Sequence, residues 1–403
     1  MKFILVIGDG MADYPVQELE WRTPLQVATH PNMDEIMSKG TFGTLKTIPD
    51  KMESNTDVAI LSILGYSPRK YYSGRGPLEA ASMGVTLRDD DLAFRCNLVT
   101  ERDGILKDYS AGHLETKEAK QLISLIDANV GNPSIRFFCG LGYRHLLVID
   151  GSLYSDKVSC FAPHYVVGKE IDEVKVTPQT KRGIKTANLL NSLMLKSKGI
   201  LSKHPINLER IREGKKPANM IWPWSPGKKP NLPTLKSRYK INGASISAVD
   251  VVSGIGIYAG LDVVKVPGAT GYFDTNYEGK AEYAVKSLRD HDFVLVHVEA
   301  PDEAGHMGDS ELKIRTIEDL DKRLLGTMIG KIQNDFTIGI LADHITSVTD
   351  RNHSSDPVPF AIYSSRYKKK HQIRHFNEEA AKKGKKIRRG YTFLSFLINY
   401  CSR

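Results

Sequence analysis

Residues 293–306 read F-V-L-V-H-V-E-A-P-D-E-A-G-H, and this stretch decides the fold. Residues 293–298 form a near-continuous apolar run, the pattern of a parallel strand buried on both faces. Glu299-Ala300-Pro301-Asp302 breaks the run, and His306 follows. Two other stretches share this form. Residues 3–7 (F-I-L-V-I) run into Gly8-Asp9-Gly10, and residues 336–341 (F-T-I-G-I-L) run into Ala342-Asp343-His344, with His353 nine residues on. Ligands of open α/β sheets gather at the carboxyl ends of the strands. Three such ends would bring Asp9, Asp302, His306, Asp343, His344 and His353 to one edge. Three carboxylates and three imidazoles suit Mn²⁺, Zn²⁺ or Co²⁺ better than Ca²⁺ or an iron–sulfur cluster. Six donors are too many for one catalytic ion with an open position and fit two.

Each signal has a plainer reading when taken alone. Asp302 and His306, four apart, share a helix face and could be a surface pair. Asp9 could be a turn aspartate and His353 a loop histidine. Adjacent Asp343 and His344 point to opposite faces of an extended chain, so they would bridge neighbouring sites or need a turn. Their coincidence at strand ends is what argues for ligation.

The chain has 403 residues, room for two domains with one inserted in the other. Its 41% hydrophobic and 26% charged content is ordinary for a globular protein. Cys96, Cys139, Cys160 and Cys401 are scattered without a C-x-x-C, which argues for a reducing compartment and against a thiolate metal site. The N-terminal apolar run is too short for a signal peptide, and no stretch reads as a membrane span. A cytoplasmic protein without a membrane partner is expected. Charge is uneven. Residues 181–240 carry 15 Lys/Arg against Glu209 and Glu213, a net of +13 where the whole chain is +9. Residues 366–389 hold 11 Lys/Arg against two Glu. Such stretches attract an anionic substrate or simply form a solvated basic surface. No nucleic-acid-binding signature accompanies them, so no nucleic-acid partner is expected. Self-association into a homo-oligomer stays open.

The segment to about residue 70 reads strand, loop, helix, strand, helix, with helices over 32–38 and 55–64. Residues 71–77 (Y-Y-S-G-R-G-P) look like a linker. From there to about 235 the pattern is mixed, with helices at 115–128 and 183–199, strand-like runs at 144–150 and 158–167, and a Pro/Gly/Trp loop at 217–233. A fresh α/β pattern begins at residue 244. The expected fold class is α/β, with a mostly parallel sheet assembled from 1–74 and 236–403 as a metal-binding phosphotransfer core. Residues 75–235 are expected to form an inserted α+β lobe, whose basic stretch can supply cations to an anionic substrate.

Ser54 is the candidate nucleophile. E-S-N-T-D (53–57) precedes an apolar run of helical length, and Ser54 with Asp57 resembles a capping box. A helix N-terminus also stabilises an alkoxide and a phosphate. No G-x-S-x-G elbow is present, so activation by metal is the consistent alternative to a Ser-His-Asp triad. Two divalent ions would balance three carboxylates and a serine alkoxide, as two-metal phosphoryl transfer requires.

The chain resembles the archaeal-type, cofactor-independent phosphoglycerate mutases of the alkaline phosphatase superfamily nearly end to end. The matching stretches include I-G-D-G-M-A-D, E-S-N-T-D-V-A-I-L-S-I-L-G-Y, Y-Y-S-G-R-G-P-L-E-A, D-Y-S-A-G-H, W-P-W, V-P-G-A-T-G-Y-F-D-T-N-Y, D-E-A-G-H and A-D-H. The resemblance implies an alkaline-phosphatase-like three-layer core and interconversion of 3-phosphoglycerate and 2-phosphoglycerate through a phosphoserine at Ser54. Asp9, Ser54, Asp343 and His344 would hold one metal ion, and Asp302, His306 and His353 the other. Mn²⁺ is the first choice, with Zn²⁺, Co²⁺ and Mg²⁺ as alternatives. In the lobe, His113, Arg144 and Arg75 would bind the small phosphorylated substrate. Similar proteins carry Lys at the position of Ser253, and the stretch after A-D-H and Tyr165 also depart from the pattern. The competing expectations are a phosphatase, or a mutase for another phosphorylated metabolite, on the same core, and a non-catalytic metal-binding relative.

Overall fold

The computed structural model describes residues 1–367, 373 and 375–400, so part of the basic stretch 366–389 and Cys401 lie outside the described residues. The chain forms two compact units, Met1–Tyr72 with Asn231–Arg403, and Ser73–Pro230.

The first unit is built on an eight-stranded sheet in the order Asp262–Val263, Gly243–Ile246, Phe293–Val298, Lys2–Gly8, Phe336–Ala342, Val358–Ser364, Thr41–Leu45, Lys385–Ile387. The first five strands are parallel, and Val358–Ser364 runs antiparallel to both its neighbours. Every residue of Phe293–Val298 and Phe336–Ala342 is buried. An alternating strand would leave one face wet, so full burial means that both faces are covered. This is the mostly parallel α/β core expected from the apolar runs. Among the described residues no helix is long and apolar enough to cross a membrane.

The second unit is α+β. Strand Leu92–Arg102 lies at its centre, pairing antiparallel with Arg144–Ile149 on one side and Met220–Lys228 on the other. Leu92, Phe94, Cys96 and Leu98 on one face pack with Leu122 and Ile126 of helix Thr116–Val130 and with Leu190 and Met194 of helix Ile184–Leu201. Ala93 on the other face packs with Ala80, Leu87, Leu146 and Val148.

Three local expectations need correction. Residues 217–233 are not one loop, because Met220–Lys228 is a strand in which Trp222 lies opposite Asn97. Its prolines suggest a loop, but an edge strand leaves one side without ladder bonds and tolerates them. Residues 71–77 are not simply a linker, since helix Arg75–Ser82 begins within them, with Gly76 and Pro77 in its first turn, where proline's missing N–H costs nothing. The run 158–167 keeps only Val158–Ser159 as strand, and Pro163 opens a single 3₁₀ turn, Pro163–Tyr165.

Candidate active site

Register builds the site. Gly8 lies opposite Val298 on one side and Ala342 on the other. The next residues, Asp9, Glu299 and Asp343, therefore leave three adjacent parallel strands at one level. The Asp9 amide extends the ladder to the Val298 carbonyl at 2.9 Å. Asp302 follows on helix Ala300–Met307, and His306, one turn later, places Nε2 3.3 Å from its carboxylate. His344 Nε2 is 3.2 Å from Asp9 Oδ1 and 3.4 Å from Asp343 Oδ2. Asp343 Oδ1 accepts from the amides of Gly10 (3.0 Å) and His344 (2.8 Å), which makes the tight turn that lets both Asp343 and His344 face the cluster.

His353 is not in an irregular loop. It pairs with Thr346 in a two-stranded ladder, and its Nε2 lies 3.2 Å from Asp302 Oδ1 and 2.8 Å from His306 Nε2. Its ring stacks on His344 at 4.0 Å. All six strand-end residues are thus brought together. Ser54 lies against them through its backbone, its carbonyl accepting from His353 Nδ1 at 2.6 Å. The capping box that Ser54 and Asp57 resemble in sequence does not form. Asn55 occupies the cap position of helix Thr56–Ile63 without a side-chain bond, and Asp57 instead takes the Val58 amide and the Tyr72 hydroxyl, both at 2.9 Å. An extended Asn55 intervenes, so Ser54 is one residue too early to cap.

Burial and close mutual approach shift the carboxyls and imidazoles of this cluster away from their ordinary values. Burial, then the neighbouring Asp343, raise the Asp9 carboxyl well above its ordinary range. Burial likewise pushes Asp343 to about 7, and burial followed by Asp302 pushes Glu299 to about 8. Asp302 goes the other way. Burial would raise it, but hydrogen bonds with His306 and His353 outweigh that and hold it well below. Burial works against a charged His306, yet Asp302 lifts it to about 9. Burial drives His344 well below its ordinary value.

The donors fit divalent metal ions. Asp9 Oδ1, Asp343 Oδ2 and Glu299 Oε2 are buried without a hydrogen-bond partner. Such oxygens are costly unless something else satisfies them. His306 Nδ1 lies 3.0 Å from the Arg351 carbonyl, as His353 Nδ1 lies on that of Ser54. A carbonyl only accepts, so each Nδ1 carries its proton and each Nε2 presents a lone pair, the usual way a ligating imidazole is oriented. The set is consistent with a divalent metal centre.

Four neighbours escaped the sequence reading. Glu299 sits one residue past a strand whose register with Gly8 would have placed it level with Asp9. His297, within the apolar run, puts Nε2 2.9 Å from Asp9 Oδ2. Thr56 Oγ1 lies 3.3 Å from Asp9 Oδ2 and 3.2 Å from His344 Nε2. The Thr346 hydroxyl donates to Asp302.

In the second unit, Arg144 lies over the Tyr143 ring at 5.8 Å, and His113, at a positive φ of 52°, meets the same ring edge-on at 6.4 Å. Arg75 opens helix Arg75–Ser82, its amide donating to Ser225 Oγ at 3.1 Å. Arg95, absent from the sequence reading, is buried against Trp224 at 4.8 Å and paired with Glu79 at 3.1 Å. Burial, opposed by Glu79 and reinforced by Arg75 and Arg144, lowers its pKa, so these arginines feel one another.

Comparison with known proteins gives one consistent result. Residues 38–207 match the family model described as 2,3-bisphosphoglycerate-independent phosphoglycerate mutase. A protein of that name from Methanosarcina barkeri is 49% identical over 387 residues, covering 95% of this chain and 96% of its own. A probable mutase of the same type from Geobacter sulfurreducens is 42% identical, covering 99% and 100%. Among solved structures, a Pyrococcus horikoshii protein superposes with a TM-score of 0.84 at 31% identity, covering 100% of this chain and 97% of its own. The cofactor-independent phosphoglycerate mutase of Thermoplasma acidophilum gives 0.67 at 32% identity, covering 99% and 100%.

Proposed function

The chain belongs to the 2,3-bisphosphoglycerate-independent phosphoglycerate mutase family, and we propose that it interconverts 3-phosphoglycerate and 2-phosphoglycerate with Ser54 as nucleophile and two divalent ions in the strand-end cluster. Asp9, Ser54, Asp343 and His344 would hold one ion, and Asp302, His306 and His353 the other. Carboxylates with neutral imidazoles favour Mn²⁺. The bound ions would supply Lewis-acid charge that favours the ionised serine hydroxyl and neutralises the phosphoryl oxygens.

The chain's own groups divide the remaining work. Ser54 Oγ forms a bond to phosphorus as the bond to the glycerate oxygen breaks. The second half-reaction reverses this at the neighbouring hydroxyl of the same glycerate. His353 holds the Ser54 backbone in place by its 2.6 Å hydrogen bond. His113, Arg144 and Arg75 are proposed to bind the glycerate, whose carboxylate suits arginine forks. The free thiols of Cys96, Cys139 and Cys160 agree with the reducing cytoplasm as the place of action.

The observation that carries this reading is the pair of imidazoles with both Nδ1 atoms spent on carbonyls and both Nε2 atoms turned to Asp302. The test is turnover of 3-phosphoglycerate coupled to enolase, with Mn²⁺, without 2,3-bisphosphoglycerate, and with excess isotopically labelled free glycerate. 2-Phosphoglycerate without label is expected. Inorganic phosphate as the main product would make the chain a phosphatase. Labelled product would mean that the glycerate is not retained.

A further inference from the structure

The loop that carries His113 follows strand Ile105–Asp108 and departs from ordinary backbone. Ala111, Gly112 and His113 stand in succession at φ of 50°, 65° and 52°. Residues with a Cβ visit this left-handed region singly, so a run of three does not hold itself. Ala111 and His113 both carry a Cβ, and the neighbours of the loop must keep it in place.

Two charged groups do so. Arg210, on helix Pro205–Arg212, is only 5% exposed and spends its guanidinium on three acceptors. Nη2 donates to the carbonyl of Ala111, the first left-handed residue, at 2.8 Å. Nε donates to the Lys216 carbonyl at 2.9 Å and Nη1 to Glu118 at 2.7 Å. Within the loop, Asp108 Oδ1 accepts from the Ser110 amide and hydroxyl, both at 2.7 Å, and from the Gly112 amide at 3.3 Å. The Ser110 hydroxyl oxygen accepts in turn from the His113 amide at 3.3 Å. Lys216 Nζ closes on Asp108 Oδ2 at 2.5 Å. Arg210 and Lys216 belong to the basic stretch 181–240, so two of its charges are committed to this loop. A lysine at 210 would keep the charge but not the planar fork that meets three acceptors at once.

The turn sets where His113 stands. Its ring meets Tyr143 edge-on at 6.4 Å, and Arg144 lies over the same Tyr143 ring at 5.8 Å. We propose that Arg210 is a positioning residue for substrate: through the Ala111 carbonyl, and together with Asp108, it holds the left-handed turn that sets His113 beside Tyr143 and Arg144. The proposal rests on the reading of His113 as a glycerate-binding residue and adds the group that places it.

A double-mutant cycle with a resonance readout tests it. Kinetics on 3-phosphoglycerate are measured for the native chain, Arg210→Lys, His113→Ala and the double variant. Histidine ring resonances are recorded on the same proteins, with His113 assigned by its loss in His113→Ala. Arg210→Lys should raise KM about tenfold and leave kcat within about twofold, the pattern of lost ground-state binding. In the His113→Ala background the same substitution should add little, because residues that act as one unit are not additive. The His113 resonance should move in Arg210→Lys while those of His297, His344 and His353 stay. Unchanged KM in Arg210→Lys, effects that multiply in the double variant, or an unmoved His113 resonance would each overturn the proposal and leave Arg210 a structural group of the lobe. Asp108→Ala carries the same comparison if Arg210→Lys does not fold. A native chain without turnover of 3-phosphoglycerate would sink the reading of the function instead, and the resonances would still decide whether Arg210 places His113.

Discussion

His353 donates its Nδ1–H to the backbone carbonyl of Ser54 at 2.6 Å while its Nε2 faces Asp302 at 3.2 Å. One imidazole therefore sets both the second donor cluster and the position of the candidate nucleophile. The link is through the backbone, so the Ser54 hydroxyl stays outside it. Residue 54 can change its side chain without disturbing His353.

Ser54→Ala follows from that separation. Ser54 is not the helix cap, and among the described residues its hydroxyl makes no hydrogen bond. Removing it should change folding stability by no more than about 0.5 kcal/mol, the scale of substitutions away from packed or capping features. Turnover should fall to background. Thermal melting and the enolase-coupled assay together check this, and a variant with near-native turnover would remove Ser54 from the reaction.

Metal binding should release protons. In the metal-free chain His306 is lifted to about 9 by Asp302, so it is protonated at pH 7 and must lose that proton to ligate. Mn²⁺ affinity should therefore rise with pH until about 9 and level off. The sign for the metal-free fold is opposite. A raised imidazole stabilises fully below its unfolded value of about 6.5 and ceases to do so as pH passes through 9. Calorimetric titration of Mn²⁺ in buffers of different ionisation enthalpy measures the protons released. Heats independent of the buffer at pH 7 would contradict this account of His306.

Gly10 should not tolerate a side chain. Its φ is +57°, and a Cβ there would come within 2.6 Å of Asp302 Oδ1 and closer still to Thr346 Oγ1. Gly10→Ala should cost more than about 1 kcal/mol in stability and weaken Mn²⁺ binding, because Asp302 must move. Denaturant unfolding and Mn²⁺ titration of the variant test both. Native metal affinity with lowered stability would show that Asp302 adapts.

The core was legible because its strands are buried on both faces, which leaves continuous apolar runs such as 336–341 with polar residues at their ends. That pattern also exposed Asp9, Asp302 and Asp343. Glu299 was not legible, because seeing it requires the register of Gly8 against Val298, which is a property of the paired strands. His297 was hidden by lying inside an apolar run. The plainer reading of Ser54 as a helix cap could not be settled in the sequence because S-x-x-D fits two geometries, and the extended Asn55 at the cap position decides between them. Met220–Lys228 was misread because proline and glycine mark loops in most contexts, and its edge position is set by a partner more than 100 residues away.

Ser253 gives the last prediction. It lies buried on helix Asp250–Tyr258, which packs against Thr56–Ile63, the helix that follows Ser54. The resemblance noted in the sequence implies a lysine at this position, and a cation on this helix would stand near the helix that follows Ser54. A positive charge directed at a transferring phosphoryl group contributes several kcal/mol in other enzymes. Burial of the lysine stem offsets part of that, and Ser253→Lys should raise kcat by about tenfold with little change in melting temperature. Steady-state kinetics on 3-phosphoglycerate check it. An inert Ser253→Lys would mean that another cation already fills the role. A variant that loses turnover while keeping its fold would mean that the space beside Ser253 is needed by the substrate itself.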